Sequence, residues 1–222
     1  DALPIWNDEI SQVVGDVTVI EGVDVTNDDV GTVLANSALK DVTIDVVVHN
    51  AGSLNGTRDI KGAGEMFEDQ KIHKVSPARM MAAFNVNCLG VLRVQQAVNG
   101  QMKSPGGKIC ILSTGMASIA DNGSGGIHAY RCSKAAVNML GKGIAVDMKK
   151  DGKGIAVVNV APGMVQTGFG PGAEMMKNMG AMSVGVSCKG LIKVFDDLTM
   201  ENTGKYMCVY KDKDPEEFPS GW

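Results

Sequence analysis

Tyr130 and Lys134 stand four residues apart in "HAYRCSKAAVNML", residues 128–140, a stretch that otherwise reads as helix. That spacing stacks two side chains on one helix face. A phenol titrates near 10 in water, too high for ready proton exchange at neutral pH. A fixed ammonium beside it favours the phenolate and lowers that value. A tyrosine held this way can hand a proton to a reacting oxygen and take it back. The same pair has a bland reading, a ring packed over a lysine stem, and spacing alone does not separate the two. Asn87 is a second candidate: a poor helix former in the middle of a long helical stretch. Its bland reading is a helix residue facing solvent.

These residues need a scaffold, and the chain alternates strand and helix. "DVTVIEGVDV" (16–25) reads as a β-branched strand running into a helix capped by Thr26 or Asn27 and lasting to about Leu39. "TIDVVVHNAG" (43–52) is a short apolar run closed by turn residues, the pattern of a strand buried on both faces. Ser76-Pro77 opens a long helix towards Gly100, with serine as N-cap and proline in the first turn. "GGKICILST" (106–114) is a third strand, the Tyr130 helix lasts to about Lys150, and "GIAVVNVAPG" (154–163) is a fourth strand. A helix over 186–198, the strand "KYMCVY" (205–210) and a charged, proline-broken surface tail follow. Strands separated by helices imply crossovers and a mostly parallel sheet in an α/β fold. Residues 53–74 read as a loop excursion. The glycine- and methionine-rich 164–185 segment reads as a mobile lid, or as an ordinary connection. No domain boundary is evident, so residues 1–222 form one domain.

Ligands of open α/β sheets bind beyond the carboxyl ends of the strands. Those ends deliver Asp24-Val25, Asn50-Ala51-Gly52, Ser113-Thr114 and Pro162-Gly163, followed by Val165 and Thr167. Turns need such residues anyway; their joint occurrence with Tyr130 and Lys134 is what points to a site.

Composition bounds the rest. With 222 residues, 44% of them hydrophobic, the chain supports one sizeable core. A net charge of −4 with no basic stripe argues against nucleic acid as partner. Five scattered cysteines, none in a Cys-x-x-Cys pair, suggest reduced and mostly buried thiols. No apolar run is long enough to cross a membrane, no cluster suggests a metal, and the expected location is intracellular, in cytoplasm or an organelle matrix or stroma.

Taken in order, Asn50-Ala51-Gly52, Asn87 in "NVNCLG", "KICILST", Tyr130-x-x-x-Lys134 and "PGMVQT" resemble the short-chain dehydrogenase/reductase family. The stretch "STGMASIADNGSGGIHAYRCSKAAVNM" is most similar to its small carbonyl reductases of the C-signal and sniffer type. The resemblance implies a Rossmann-like, doubly wound parallel sheet flanked by helices. It implies reduction of a small-molecule carbonyl, or oxidation of an alcohol, by hydride transfer from NADP or NAD, with NADP slightly favoured. Tyr130 is then the general acid/base, Lys134 also binds the nicotinamide ribose, and Asn87 holds a relay water. Thr114 takes the position of the family's catalytic serine; it keeps a hydroxyl, but its methyl restricts χ1. Asp24 and Val25 fall to the adenine, Asn50, Ala51 and Gly52 to the adenosine side, and Pro162, Gly163, Val165 and Thr167 to the nicotinamide end. Paired helices at 76–100 and 130–150 form the family's usual dimer surface, so a homo-oligomer is expected.

One departure is large. The Gly-x-x-x-Gly-x-Gly turn that seats a dinucleotide pyrophosphate occurs nowhere in the sequence. The chain opens on "DALPIWNDEISQVVG", which matches the helix before the family's third strand, so the first strand–helix–strand portion is expected to be lacking and tight dinucleotide binding by these residues alone is not expected. A second function class therefore stands beside the oxidoreductase: a non-catalytic subunit with a structural role in a larger assembly.

Overall fold

A computed structural model describes residues 15–54 and 70–222. The helix expected at 1–15 and most of the 53–74 loop lie outside them. The described elements are α1 (Val30–Ala35), β1 (Val46–His49), α2 (Pro77–Phe84), a π turn (Asn85–Leu89), α3 (Gly90–Val98), β2 (Lys108–Leu112) and α4 (His128–Lys150). β3 (Ala156–Ala161), α5 (Ala173–Asn178), α6 (Val184–Asp196), β4 (Lys205–Cys208) and β5 (Glu216–Glu217) complete them. The strands lie in the order β1-β2-β3-β4-β5. The first four are parallel, and β5 runs antiparallel to β4.

Side chains alternate across the strands, so each strand feeds two cores. Ile109, Ile111 and Val157 meet Val91, Val137 and Met148 from α3 and α4 on one face. Cys110, Val158 and Val160 meet Val194 and Leu198 around α6 on the other. Helices on both faces make this the Rossmann-like α/β arrangement the sequence implies. α4 comes very close to β3 at Gly141: a Cβ there would stand 2.2 Å from the buried Asn159 Oδ1. A glycine in mid-helix, unfavourable by propensity, is what lets the Tyr130 helix lie flush on the sheet.

Four readings are corrected. Residues 16–25 form no strand; Val17, Val19 and Val23 are exposed. A strand exists only through a ladder partner, and among the described residues none lies beside this segment. β1 is likewise the sheet edge, with Val46 and Val48 nearly half exposed, and is not buried on both faces. α1 is shorter than expected, because the Asp24 carboxylate accepts from Thr26 N and Oγ1 and spends residues 24–29 in turns. The tail differs too: β5 pairs with β4, and Phe218 and Trp222 stack on Tyr206.

The other boundaries agree closely. Ser76 caps α2 by accepting from Arg79 N, with Pro77 at the first position. Of the five cysteines, Cys88, Cys110 and Cys208 are buried and Cys132 and Cys188 exposed, all as free thiols. Among the described residues no helix is long and apolar enough to cross a membrane.

Candidate active site

Tyr130 sits in the first turn of α4, and the chain enters that turn awkwardly. Gly125, Gly126 and Ile127 all have positive φ, the last at 48°. A β-branched residue in the left-handed region is strained and persists only when its surroundings hold it. Arg131 supplies part of that hold, donating to Gly126 O, Met116 O and Ser124 Oγ. Gln70 supplies another part: its side chain accepts from Ala129 N and donates to Leu54 O. The ring of Tyr130 is buried against Leu54, Met116 and Ile127, and Phe169 lies 5.8 Å away, ring centre to ring centre.

Asn87 faces inward from the π turn that interrupts the α2–α3 helix, and it is fully buried. Such turns often mark functional positions, and this one disposes of the solvent-facing alternative. Asn87 Oδ1 accepts from Ser53 N at 2.8 Å; Nδ2 donates to Ser53 O at 2.7 Å and to Ser133 Oγ at 2.8 Å. Ser133 in turn donates to Tyr130 O. Both amide hydrogens are therefore used, and a water reaching Asn87 finds only the second lone pair of Oδ1.

Lys134 is buried and donates to Leu112 O at 2.7 Å, at the end of β2. No carboxylate pairs with it among the described residues. Desolvation brings its pKa down to about 8, opposed by the nearby Cys88. Tyr130 moves the other way: burial raises its pKa to about 12, opposed by a hydrogen bond with Thr114. The sequence argument for a lysine-acidified phenol is thus reversed. Burial sets the direction, and the Lys134 ammonium is turned to the Leu112 carbonyl.

Thr114 follows β2 directly, and its Oγ1 accepts from Met116 N. The two serines beside it are occupied otherwise: Ser113 Oγ donates to Asn138, and Ser118 Oγ donates to Gly221 O. Thr114 is the hydroxyl that reaches Tyr130.

The strand-end residues also gather here. Asn50, Ala51 and Gly52 are exposed at the end of β1. A Cβ on Gly52 would come within 3.4 Å of Asn87 Oδ1 and 3.6 Å of Lys134 Nζ. Pro162 and Gly163 end β3; Gly163 has φ 79° and its missing Cβ would overlap Met182 and the Val209 carbonyl. Val165 bridges Met182, and Thr167 Oγ1 accepts from Phe169 N. The 164–185 segment is therefore folded back on itself, with α5 inside it. Asp24 and Val25 lie at the far side, where Arg93 joins Val25 O, Asp28 and Asn85. Sequence reasoning missed the supporting groups: the Ser53 backbone and the side chains of Gln70, Arg131 and Ser133. Only the Ser133 position, one turn from Tyr130, carried a readable signal.

A buried proton-bearing phenol, a buried ammonium and a hydroxyl at adjacent strand ends, beside an open backbone cradle, can protonate an oxygen while an anionic or hydroxyl-rich ligand lies along the sheet edge. Comparison with known proteins gives this geometry a family. A family model described as short chain dehydrogenase matches residues 4–178. The 1-hydroxy-2-glutathionyl-2-methyl-3-butene dehydrogenase of Rhodococcus sp. (strain AD45) is 33% identical over 194 residues, covering 86% of this chain and 76% of that protein. The C-signal protein of Myxococcus xanthus is 32% identical over 165 residues, 73% of this chain and 87% of that one. A crystal structure described as a short-chain dehydrogenase/reductase from Burkholderia multivorans with bound NADP superposes with a TM-score of 0.66 at 29% identity, covering 86% of this chain and 74% of that one.

Proposed function

We propose that this chain, which belongs to the short-chain dehydrogenase/reductase family and is an oxidoreductase, reduces a carbonyl group or oxidises the matching alcohol, with Tyr130 as proton donor and acceptor. The observation that carries this reading is the cluster of buried Tyr130, Lys134 and Asn87 with half-buried Thr114 at the carboxyl ends of β1 and β2. An ammonium buried with no carboxylate partner among the described residues costs on the order of 3 kcal/mol at the shift it shows, so packing alone does not explain it. The Burkholderia structure holds NADP, and the cradle at Gly52, beside Lys134, suits the ribose hydroxyls of such a dinucleotide. When bound, that cofactor supplies or accepts the hydride.

The roles of this chain's residues follow. Lys134 and Asn50, Ala51 and Gly52 hold ribose and adenosine hydroxyls, Pro162, Gly163, Val165 and Thr167 bracket the nicotinamide end, and Asp24 and Val25 meet the adenine. Thr114 donates its hydroxyl to the substrate oxygen. Tyr130, protonated throughout the neutral range, gives its proton to that oxygen as negative charge develops. Asn87 fixes Ser53 and Ser133 around the phenol and accepts from a relay water. The walls at Leu54, Met116, Ile127 and Phe169 are apolar, so the substrate carries a hydrophobic group next to its carbonyl. NADP remains the favoured cofactor by family likeness, and residues 1–222 act as one domain.

Thr114 provides a direct test of the hydroxyl's role. Thr114→Ser keeps the hydrogen bond and removes a methyl, so turnover should equal or exceed that of the parent. Thr114→Val keeps the shape without the donor and should lose about a hundredfold. Steady-state rates that are alike for the two variants would remove Thr114 from the mechanism.

The outward sides of α2 and α4 expose Met81, Met139 and Val146. We propose that two copies bury these side chains against each other in a symmetric helix–helix contact. Sedimentation at micromolar concentration should show a dimer or larger, and Met139→Glu should shift it to monomer. A monomer in the parent protein would count against the contact.

A further inference from the structure

Beyond Ser113, whose N–H still donates to Val160 O in the sheet, the 114–121 loop leaves β2 and must be held by something else. Arg131 holds it at Met116 O. Short turn bonds within the loop and the Thr114–Tyr130 contact add local order, and its other ties run to residues far along the chain. Tyr206, almost wholly buried on β4, donates its hydroxyl to Thr114 O. The ring of Tyr206 is stacked on Phe218, with centres 4.8 Å apart, and on Trp222 at 5.4 Å. Phe218 also fills the space above Gly115, where a Cβ would stand 3.3 Å from its ring. Gly221 O accepts from Ser118 Oγ at 2.9 Å, and the backbone oxygen of Trp222 accepts from Ile119 N at 3.1 Å. Ser220 Oγ donates to Asp121 at 3.2 Å. Lys142 on α4 lies over the Trp222 ring.

We propose that Tyr206, backed by the 216–222 strap, is the positioning residue for Thr114, so that the strap sets where the Thr114 hydroxyl points. The inference rests on the reading of Thr114 as the substrate-oxygen donor. The physical link is short. Thr114 has no ladder hydrogen bond of its own to fix its direction; its carbonyl accepts from the Tyr206 hydroxyl and from Ala117 N, and its Oγ1 accepts from Met116 N and meets Tyr130. A shift of about 1 Å in a group that meets a developing charge can cost up to about a hundredfold in rate. Tyr206 touches neither substrate nor cofactor in this scheme and acts only through Thr114.

The test is a double-mutant cycle. Tyr206→Phe keeps the stacked ring and removes only the hydroxyl. It should lower kcat roughly tenfold in the parent protein, with the KM for the carbonyl changed less than about twofold. In a Thr114→Val background the same change should cost nothing further, because the group it positions is already gone. Equal losses in both backgrounds, or no loss in the parent, would overturn the proposal. Hydrogen exchange supplies a readout that needs no turnover, and so separates this idea from the proposed reaction. Amides of 114–121 should exchange roughly tenfold faster in Tyr206→Phe and in Trp222→Ala, while those in the middle of α4 do not change. Trp222→Phe, which retains a ring to stack, should restore slow exchange. If Tyr206→Phe fails to fold, Trp222→Ala and Trp222→Phe carry the same comparison. Unchanged exchange across 114–121 in Trp222→Ala would refute the strap's role whatever the enzyme does.

Discussion

Tyr130→Phe is expected to lower turnover in carbonyl reduction by at least about a hundredfold, the range for loss of a positioned general acid, with no change in melting temperature. The second half of that statement follows from how the ring is packed. Leu54, Met116 and Ile127 surround it and Phe169 lies against its edge, contacts that phenylalanine keeps. Only the hydroxyl and its bond to Thr114 are lost. The size of the kinetic effect follows from protonation. Burial keeps the phenol's pKa near 12, so it is a full proton donor throughout the neutral range. Reduction by the parent protein should therefore be flat with pH between 6 and about 8, on the phenol's account. Oxidation of the alcohol needs the phenolate and should climb with pH across the same range. Tyr130→Phe should remove that climb as well as the rate. Steady-state assays in both directions, with the nicotinamide cofactor supplied, check all of this. Near-parental reduction by the variant would sink the assignment of Tyr130. A parent protein that binds cofactor but turns nothing over would favour the architectural reading.

Much of this site was legible in the sequence, and the parts that were not share a physical reason. β2, β3 and α4 are specified locally, by apolar runs between turn residues and by a helical period, and their boundaries agree to within about two residues. Segment 16–25 has the same β-branched alternation, yet forms no strand, because a strand is a property of two segments and the sequence of one cannot report its partner. The outward face of β1 went wrong for that reason too. Asn87 was legible by position, but its burial depends on a π turn that no periodicity announces. The ties of Thr114 to Tyr206 and of residues 115–121 to residues 218–222 span roughly a hundred residues of chain, beyond any spacing rule. Lys134 shows the opposite failure. Its place one turn from Tyr130 is readable from the spacing, but the sign of either group's pKa shift is not, because desolvation is set by everything packed around both groups.

That sign leads to the other large effect, at Lys134. Lys134→Met should abolish measurable turnover, a loss of at least about a hundredfold, and at neutral pH it should raise the stability of the fold. The gain is unusual for a buried site, and it follows from linkage. The ammonium of Lys134 has a folded-state pKa near 8 against its ordinary 10.5. Between those values the unfolded chain binds the proton and the folded chain does not, so stability rises as pH climbs through that window. Below pH 8 the folded protein carries the whole cost of the buried charge, on the order of 3 kcal/mol. Methionine has a similar length and no charge. It forfeits the hydrogen bond to Leu112 O, worth about 1–2 kcal/mol, so the net gain at pH 7 is about 1–2 kcal/mol. Denaturant melts of the two proteins at pH 7 and at pH 10 check the argument, because the advantage of the methionine variant should shrink as the parent's folded state gives up the buried charge. Equal stability at both pH values would mean that Lys134 is well solvated or paired. A variant that is more stable and inactive would mark Lys134 as a charge the fold bears for its chemistry, since packing alone would favour the methionine.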